Sequence, residues 1–376
     1  MKVLHLTGGG DIGGGKSHII GLLHALRHEL DVQLVCFLDG PVYREALERG
    51  IPTILIQQKQ RYDLSVIKKL RQLIKTEGFD IIHSHGSRSN FLAAILHRNV
   101  DIPFVTTIHS DYQLDFLGNI YKQIVYTNLN KLALRYFDYY VAVSEHFRKM
   151  LIGRGFAPER VFTVYNGLDL HKPPISGQRR EVFCAQLGID LPQGASLIGT
   201  MGRLHPVKGQ TVLVKAIPQV LAEFPNTRFL IAGDGEEKNS LIRLAEQLGV
   251  KEALCFSGYL HEPGNYFNAI DINVLPSNSE SFPYVLLEGA WFKLPTVATA
   301  VGGIPELIKD GENGFLFPPG DSKQLAALLN KLLADPSLRQ SIGEAFHKHV
   351  KDNFTTENLA KRHIEIYRAI LQGTRR

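Results

Sequence analysis

Cysteine is scarce in this sequence. The 376 residues hold three, Cys36, Cys184 and Cys255, far apart and set in runs that read as strand or helix core. That number and spacing exclude a disulfide framework and a cysteine-based zinc site, and they fit a reduced, cytoplasmic protein. Long apolar runs are also missing. None approaches the roughly 18 residues needed to span a bilayer, and the opening MKVLHLTGGG has neither the apolar core nor the cleavage site of a signal peptide, so export is not expected. Low-complexity segments and short-period repeats are absent. What remains is an ordinary globular composition, 44% hydrophobic and 21% charged, long enough for two domains with a core each.

Charge is uneven. Residues 1–172 hold 21 Lys+Arg against 16 Asp+Glu, while the remainder holds 21 of each, so the whole net charge of +5 lies in the first half. Part of it sits in KQRYDLSVIKKLRQLIK (Lys59 to Lys75), a basic amphipathic helix candidate. Such a face is ordinarily just solvated; the sharper reading is contact with an anionic membrane surface or a phosphorylated acceptor.

Apolar runs of strand length alternate with helical-period stretches. The first half offers KVLHLT, DVQLVCF, PTILI, FDIIHS, PFVTTIH, YYVAVS and RVFTVY; the second offers SLIGTM, TRFLIAG, ALCFSG, INVLP, PTVAT and GFLF. Strands separated by helices imply βαβ units and parallel sheets covered on both faces, which explains continuous apolar runs instead of alternation. The break falls at LDLHKPPISGQRR (Leu168 to Arg180), rich in proline and charge. Domains are therefore expected over 1–172 and 173–354, with the final helical stretch, 355–376, packing back on the first.

The loop GGGDIGGGKS (Gly8 to Ser17) matches two phosphate-binding motifs at once. Gly8, Gly10 and Gly13 satisfy G-x-G-x-x-G; Gly10, Gly15, Lys16 and Ser17 satisfy the P-loop pattern. A P-loop also needs a strand ending in an acidic magnesium ligand, and only Asp111 fits, weakly. A dinucleotide site needs an acid about 20 residues on; Asp39 comes roughly ten residues late, and Asp31 lies at the wrong end of its strand. What survives is general: free N–H groups at a helix N-terminus suit an anion.

Four more constellations fall at strand C-termini, where open α/β sheets bind ligands. GTMGRLHPVKG sets Arg203 and Lys208 on one loop, a spacing that could clamp a diphosphate. IAGDGEE carries a glycine turn. ESFPYVLLE separates Glu280 from Glu288 by seven residues, one in a loop and one in a helix starting near Pro283. TAVGGIPELI opens a helix at Gly302-Gly303.

Together with VAVSE, VYNGLD and DGENGFLF, these segments in this order resemble the retaining family-four glycosyltransferases of GT-B fold (glycosyl transferases group 1), over nearly the whole chain. The resemblance implies two Rossmann-like, doubly wound α/β domains facing across a cleft that holds a nucleotide-sugar donor. It assigns Arg203 and Lys208 to the diphosphate, Glu288 to the ribose, and Glu280 with the backbone around Ser281, Phe282 and Pro283 to the transferred sugar. Gly202 and Gly233 join the donor loops, Gly14 and Gly15 approach the phosphate from the first domain, and His109 reaches the sugar ring. His83 and His85 are expected on the acceptor side, facing a glycan or lipid-linked hydroxyl, with buried, hydrogen-bonded histidines as the alternative for either.

No cofactor or metal is expected: His83, His85 and His109 could be imagined as a metal triad, yet no carboxylate or cysteine has suitable spacing. Nucleic acid is not an expected partner, whereas peripheral contact with the inner face of the plasma membrane is. Two departures from the family stand out. Pro283 replaces a usual glycine and removes a backbone donor; EGAWFKLP replaces a smaller run, with Trp291 expected to pack in the core. Two alternatives stay open: a GT-B sugar-nucleotide epimerase using first-domain carboxylates such as Asp111 and Asp115, and a sugar-nucleotide-binding protein without transfer.

Overall fold

The computed structural model describes residues 1–60, 63–111, 113, 120–170 and 178–374, with backbone alone for 120–126 and 374. It divides into two compact units, Met1–Asp169 with Thr356–Arg376, and Leu170–Thr355. Asp115 lies outside the described residues, as do Arg61 and Tyr62 of the basic stretch and most of the linker.

In the first unit the strands are β1 (Lys2–Thr7), β2 (Asp31–Cys36), β3 (Thr53–Leu55), β4 (Ile81–His85), β5 (Phe104–Ile108), β6 (Tyr139–Ala142) and β7 (Val161–Thr163). The helices between them are α1 (Gly14–Leu26), α2 (Pro41–Glu48), α3 (Ser65–Glu77), α4 (Ser87–His97), α5 (Ile120–Leu134) and α6 (Glu145–Gly153). The strands form one sheet in the order β3-β2-β1-β4-β5-β6-β7, every pair parallel. The order reverses between β1 and β4, the switch point at which ligands bind in such sheets.

The second unit follows the same logic. Helix α7 (Arg180–Gln186) leads into β8 (Leu197–Met201), α8 (Gln210–Glu223), β9 (Arg228–Ala232), α9 (Lys238–Gln247), β10 (Leu254–Gly258), α10 (Pro263–Ala269) and β11 (Ile272–Leu275). Then come α11 (Tyr284–Trp291), β12 (Thr296–Thr299), α12 (Ile304–Leu307), β13 (Phe315–Phe317), α13 (Ser322–Ala334) and α14 (Pro336–Asn353). The sheet order is β10-β9-β8-β11-β12-β13, with its switch point between β8 and β11. Both sheets are buried on two faces. In the second unit one apolar cluster joins Ile198, Phe229 and Val274 to α8 and α13, and another joins Leu197, Leu230 and Ala232 to α7 and α10.

The last helix, α15 (Thr356–Thr374), belongs to the first unit. Leu359, Ala360, His363, Ile364, Tyr367 and Ile370 are buried at helical spacing, in a cluster with α1 residues such as Ile19 and Leu23 and with Val3, Ile81 and Val105 of the sheet. Helix α3 buries Val66, Ile67, Leu70 and Ile74 and leaves Lys68, Lys69, Arg71 and Lys75 exposed. Its apolar face is committed to the core, so only its charges are available to a surface. Trp291 is half-buried rather than core, its ring stacked 5.2 Å from that of His347 on α14. Among the described residues no helix is long and apolar enough to cross a membrane.

Candidate active site

In the second unit the predicted donor residues converge on the β8/β11 switch point. The loop after β8, residues 202–209, is held by its neighbours: Gly202 N–H donates to Ala232 O, Leu204 N–H to Asp234 O, and Asn278 Nδ2 to Pro206 O at 2.8 Å. The Gln210 amide donates to Arg203 O at 3.1 Å. Gly233, at φ 131°, lets the adjacent loop cross close by, since a Cβ there would sit 2.0 Å from Gly202 O. The loop is therefore braced before any ligand arrives.

Lys208 and Glu280, separated by 72 residues, meet here. Lys208 Nζ donates to Glu280 Oε1 at 2.6 Å, and Ser277 Oγ donates to the same oxygen at 2.6 Å. Glu280 is nearly enclosed, its side chain 7% exposed against 30% for Lys208. Burying a carboxylate is costly unless it is paired and hydrogen-bonded; Lys208 and Ser277 do both. From the far side, Gly302 (φ 56°) packs against the Glu280 backbone, where a Cβ would lie 1.7 Å from Glu280 O, and Gly303 N–H donates to that same carbonyl. Arg203 is exposed.

Pro283 forms the N-cap of α11, which begins at Tyr284, so Glu288 lies just over one turn in and is half-buried. Ser281 is half-buried too. Phe282 is not: its ring is 1% exposed and packs against Phe354 at 5.1 Å, so only its backbone is left for a ligand.

In the first unit the glycine loop runs into α1, with Gly13 as N-cap and Gly14 and Gly15 in the first turn. Lys16 does not point to a phosphate. Its Nζ pairs with Glu45 Oε2 of α2 at 2.7 Å, which removes the P-loop reading along with the missing acid. Asp111 is likewise engaged: Arg154 holds both of its oxygens at 2.8 Å, and these bonds keep its carboxyl below the usual range despite burial. It is a structural anion, not a free carboxylate of the kind the epimerase alternative requires.

For His83 and His85 the structure follows the buried, hydrogen-bonded alternative and not the acceptor-side one. His83 and His85 are 0% and 1% exposed, so they present no surface to an acceptor. Parallel register sets His5 of β1 beside His83 of β4, and the two-residue strand period keeps His85 on the same face. His18 of α1, His109 after β5, and His363 and Tyr367 of α15 close over them. His83 bonds Tyr367 Oη through Nδ1 and Thr107 Oγ1 through Nε2 at 2.7 Å. Burial pushes all six imidazoles below their ordinary value, His18 to about 4 and His363 to about 3. Neighbouring histidines depress all but His18 further, so the set is neutral at pH 7. His5 and His18 escaped the sequence reading because nothing local marks them; only the period-2 spacing of His83 and His85 hinted at a shared face.

Two parallel, doubly wound units are the architecture of the GT-B glycosyltransferases. Family models agree: Glycosyltransferase Family 4 matches residues 12–172 and Glycosyl transferases group 1 matches residues 188–349. The chain belongs to the family-four, group 1 glycosyltransferases. It is similar to the N-acetyl-α-D-glucosaminyl L-malate synthase of Bacillus anthracis, 26% identical over 314 residues that cover 83% of this chain and 80% of the relative. It is also similar to the UDP-Gal:α-D-GlcNAc-diphosphoundecaprenol α-1,3-galactosyltransferase of Escherichia coli, 26% identical over 323 residues covering 82% of each. Among solved structures, Anabaena Alr3699/HepE in complex with UDP-glucose superposes with a TM-score of 0.83 at 24% identity, covering 98% of this chain and all of that one.

Proposed function

We propose that the chain moves a hexose or N-acetylhexosamine from a UDP-sugar to a hydroxyl of a glycan, glycolipid or polyprenyl-linked acceptor in cell-envelope or exopolysaccharide synthesis. Transfer proceeds with retention and needs no metal or other cofactor. The observation that carries this reading is the braced switch-point loop of the second unit, with Arg203 exposed and Lys208 held beside the buried Glu280. Relatives support the chemistry: a UDP-Gal donor and an α-D-GlcNAc-diphosphoundecaprenol acceptor in the E. coli relative, and bound UDP-glucose in the Anabaena structure.

In this mechanism the bond from the sugar's anomeric carbon to the diphosphate breaks as the acceptor oxygen bonds the same face. The departing phosphate takes the acceptor's proton. Arg203 and Lys208 neutralise the charge that grows on the leaving group, an electrostatic contribution of the kind that is commonly the largest in catalysis. Glu288 accepts from ribose hydroxyls; Glu280 and the Ser281 N–H hold the sugar, Pro283 having no N–H to give. Gly202 and Gly233 shape the donor loops, while Gly14, Gly15 and His109 contact the donor during turnover. The exposed basic face of α3 serves peripheral contact with anionic lipid.

A thermal-shift screen against a nucleotide-sugar panel should show one donor raising the melting temperature by mass action. With that donor, nucleoside diphosphate release should depend on acceptor. Release of an isomerised sugar nucleotide without acceptor would favour the epimerase instead.

A further inference from the structure

The buried histidines of the first unit form two convergent groups, His5 with His83 and His85, and His18 with His85 and His109; within each, one ring nitrogen per residue lies within 4.8 Å of the others. The first group is already spent, because both nitrogens of His83 are hydrogen-bonded, to Tyr367 and Thr107. The second is different. His18 Nδ1 lies 2.9 Å from Asn166 Oδ1. A carbonyl oxygen only accepts, so Nδ1 carries the proton and Nε2 keeps its lone pair. That Nε2 is fully buried and has no hydrogen-bond partner among the described residues, a cost that native structures rarely leave without a reason.

The spacing of the other two nitrogens points the same way. His85 Nδ1 and His109 Nε2 are 3.4 Å apart, long for a hydrogen bond between them. It matches the edge of a tetrahedron around a cation bound at roughly 2.0–2.1 Å, which is about 3.3–3.4 Å. Metal-bound histidines hand their second nitrogen to a fixed partner that sets the ring and tautomer. His18 has Asn166, and His85 Nε2 has His5 Nδ1 at 3.0 Å. Burial keeps all three rings neutral at pH 7, the form that ligates. His109, partly exposed where the others are not, gives a route in from solvent.

We propose that His18, His85 and His109 form a binding site for a borderline divalent cation, zinc above all, with three neutral imidazoles and a fourth position left to water. Three imidazoles without carboxylate or thiolate suit Zn²⁺, Co²⁺ or Ni²⁺ and disfavour Mg²⁺ and Ca²⁺. All three ligands belong to the first unit, whereas Arg203 and Lys208 belong to the second. Because it engages His109, occupancy withdraws that ring from any contact with the sugar, which makes zinc an inhibitor of transfer.

The full chain, stripped with chelator and dialysed, is titrated with Co²⁺ alone. One equivalent should bind and give the intense visible d–d absorption of a four-coordinate site, and Zn²⁺ should abolish the colour stoichiometrically. Asn166→Ala, which removes no ligand, should weaken Zn²⁺ binding roughly 10- to 100-fold, the usual effect of losing an outer partner. His18→Ala should lose the coloured site, whereas His363→Phe, which alters a neighbouring ring that is no ligand, should retain it. Circular dichroism of each variant reports folding independently, and the wild-type titration stands without any variant. Absence of a one-equivalent coloured complex in the wild type overturns the proposal, as does an unchanged spectrum and affinity in folded His18→Ala.

Discussion

At the scale of single residues, Lys208 has a task that Arg203 does not share. In the proposed reaction both counter charge on a departing diphosphate, so replacing either with Ala should lower kcat by about 10²- to 10³-fold, roughly 3 to 4 kcal/mol of barrier. Only Lys208 also neutralises an enclosed carboxylate. Lys208→Ala should therefore cost about 1–3 kcal/mol of stability, because Glu280 is left buried with its cation gone. The exposed Arg203 should stay within about 0.5 kcal/mol of wild type on truncation. Denaturant melts of Lys208→Ala, Glu280→Gln and the double variant would measure the coupling; additive losses would mean that the pair seen here does not matter energetically. Glu288→Ala, if it loses only ribose contacts, should raise donor KM and spare kcat. A kcat collapse in Glu288→Ala with intact kcat in both cation variants would reassign the clamp. Gly302→Ala tests the brace behind Glu280: its methyl meets a backbone oxygen 1.7 Å away, an overpacking cost of about 1–3 kcal/mol. At roughly 2–4 °C per kcal/mol this should show in a melting curve, together with reduced transfer.

At the scale of elements, α3 divides cleanly into a buried apolar stripe and an exposed basic one. Any membrane contact it makes is electrostatic. Sedimentation with anionic vesicles should be strong at low salt and fade near physiological ionic strength, where exposed charges are screened beyond about 8 Å. Charge reversal at Lys68, Lys69, Arg71 and Lys75 should abolish it without unfolding the helix; equal recovery with neutral vesicles would refute the contact. Elements were also the most legible feature of the sequence. All thirteen strands among the described residues fall on apolar runs readable in advance, because a strand covered on both faces leaves a continuous apolar signature. The candidate residues Arg203, Lys208, Glu280 and Glu288 are each marked in the sequence by a short local pattern that follows a strand. The Lys208–Glu280 pair and the joining of His5 and His18 to His83 and His85 are not so marked. These depend on which strands become neighbours, and no local stretch of chain carries that information.

At the scale of the whole molecule, titration should act unequally on the two units. Six imidazoles of the first unit are held neutral by burial, with folded values below the 6.5 of an exposed histidine. Below that pH the unfolded chain takes up protons that the folded one refuses, so stability falls with acidification, by about 1.4 kcal/mol per pH unit for each such group. The single tryptophan, Trp291, lies in the second unit and reports it alone. In the metal-free chain, helical circular dichroism should begin to fall at a higher pH than Trp291 fluorescence changes; coincident transitions would contradict this ordering. The return of α15 has a further consequence, for synthesis. Leu170–Thr355 form a compact unit interposed within another, and the core around α1 lacks Leu359, Tyr367 and Ile370 until the ribosome has passed them. The half of the protein that is translated first is thus finished last. In the interval its sheet leaves uncovered the face that α15 later fills, which gives chaperones a defined window and makes residues 356–374 the step that closes the nascent fold.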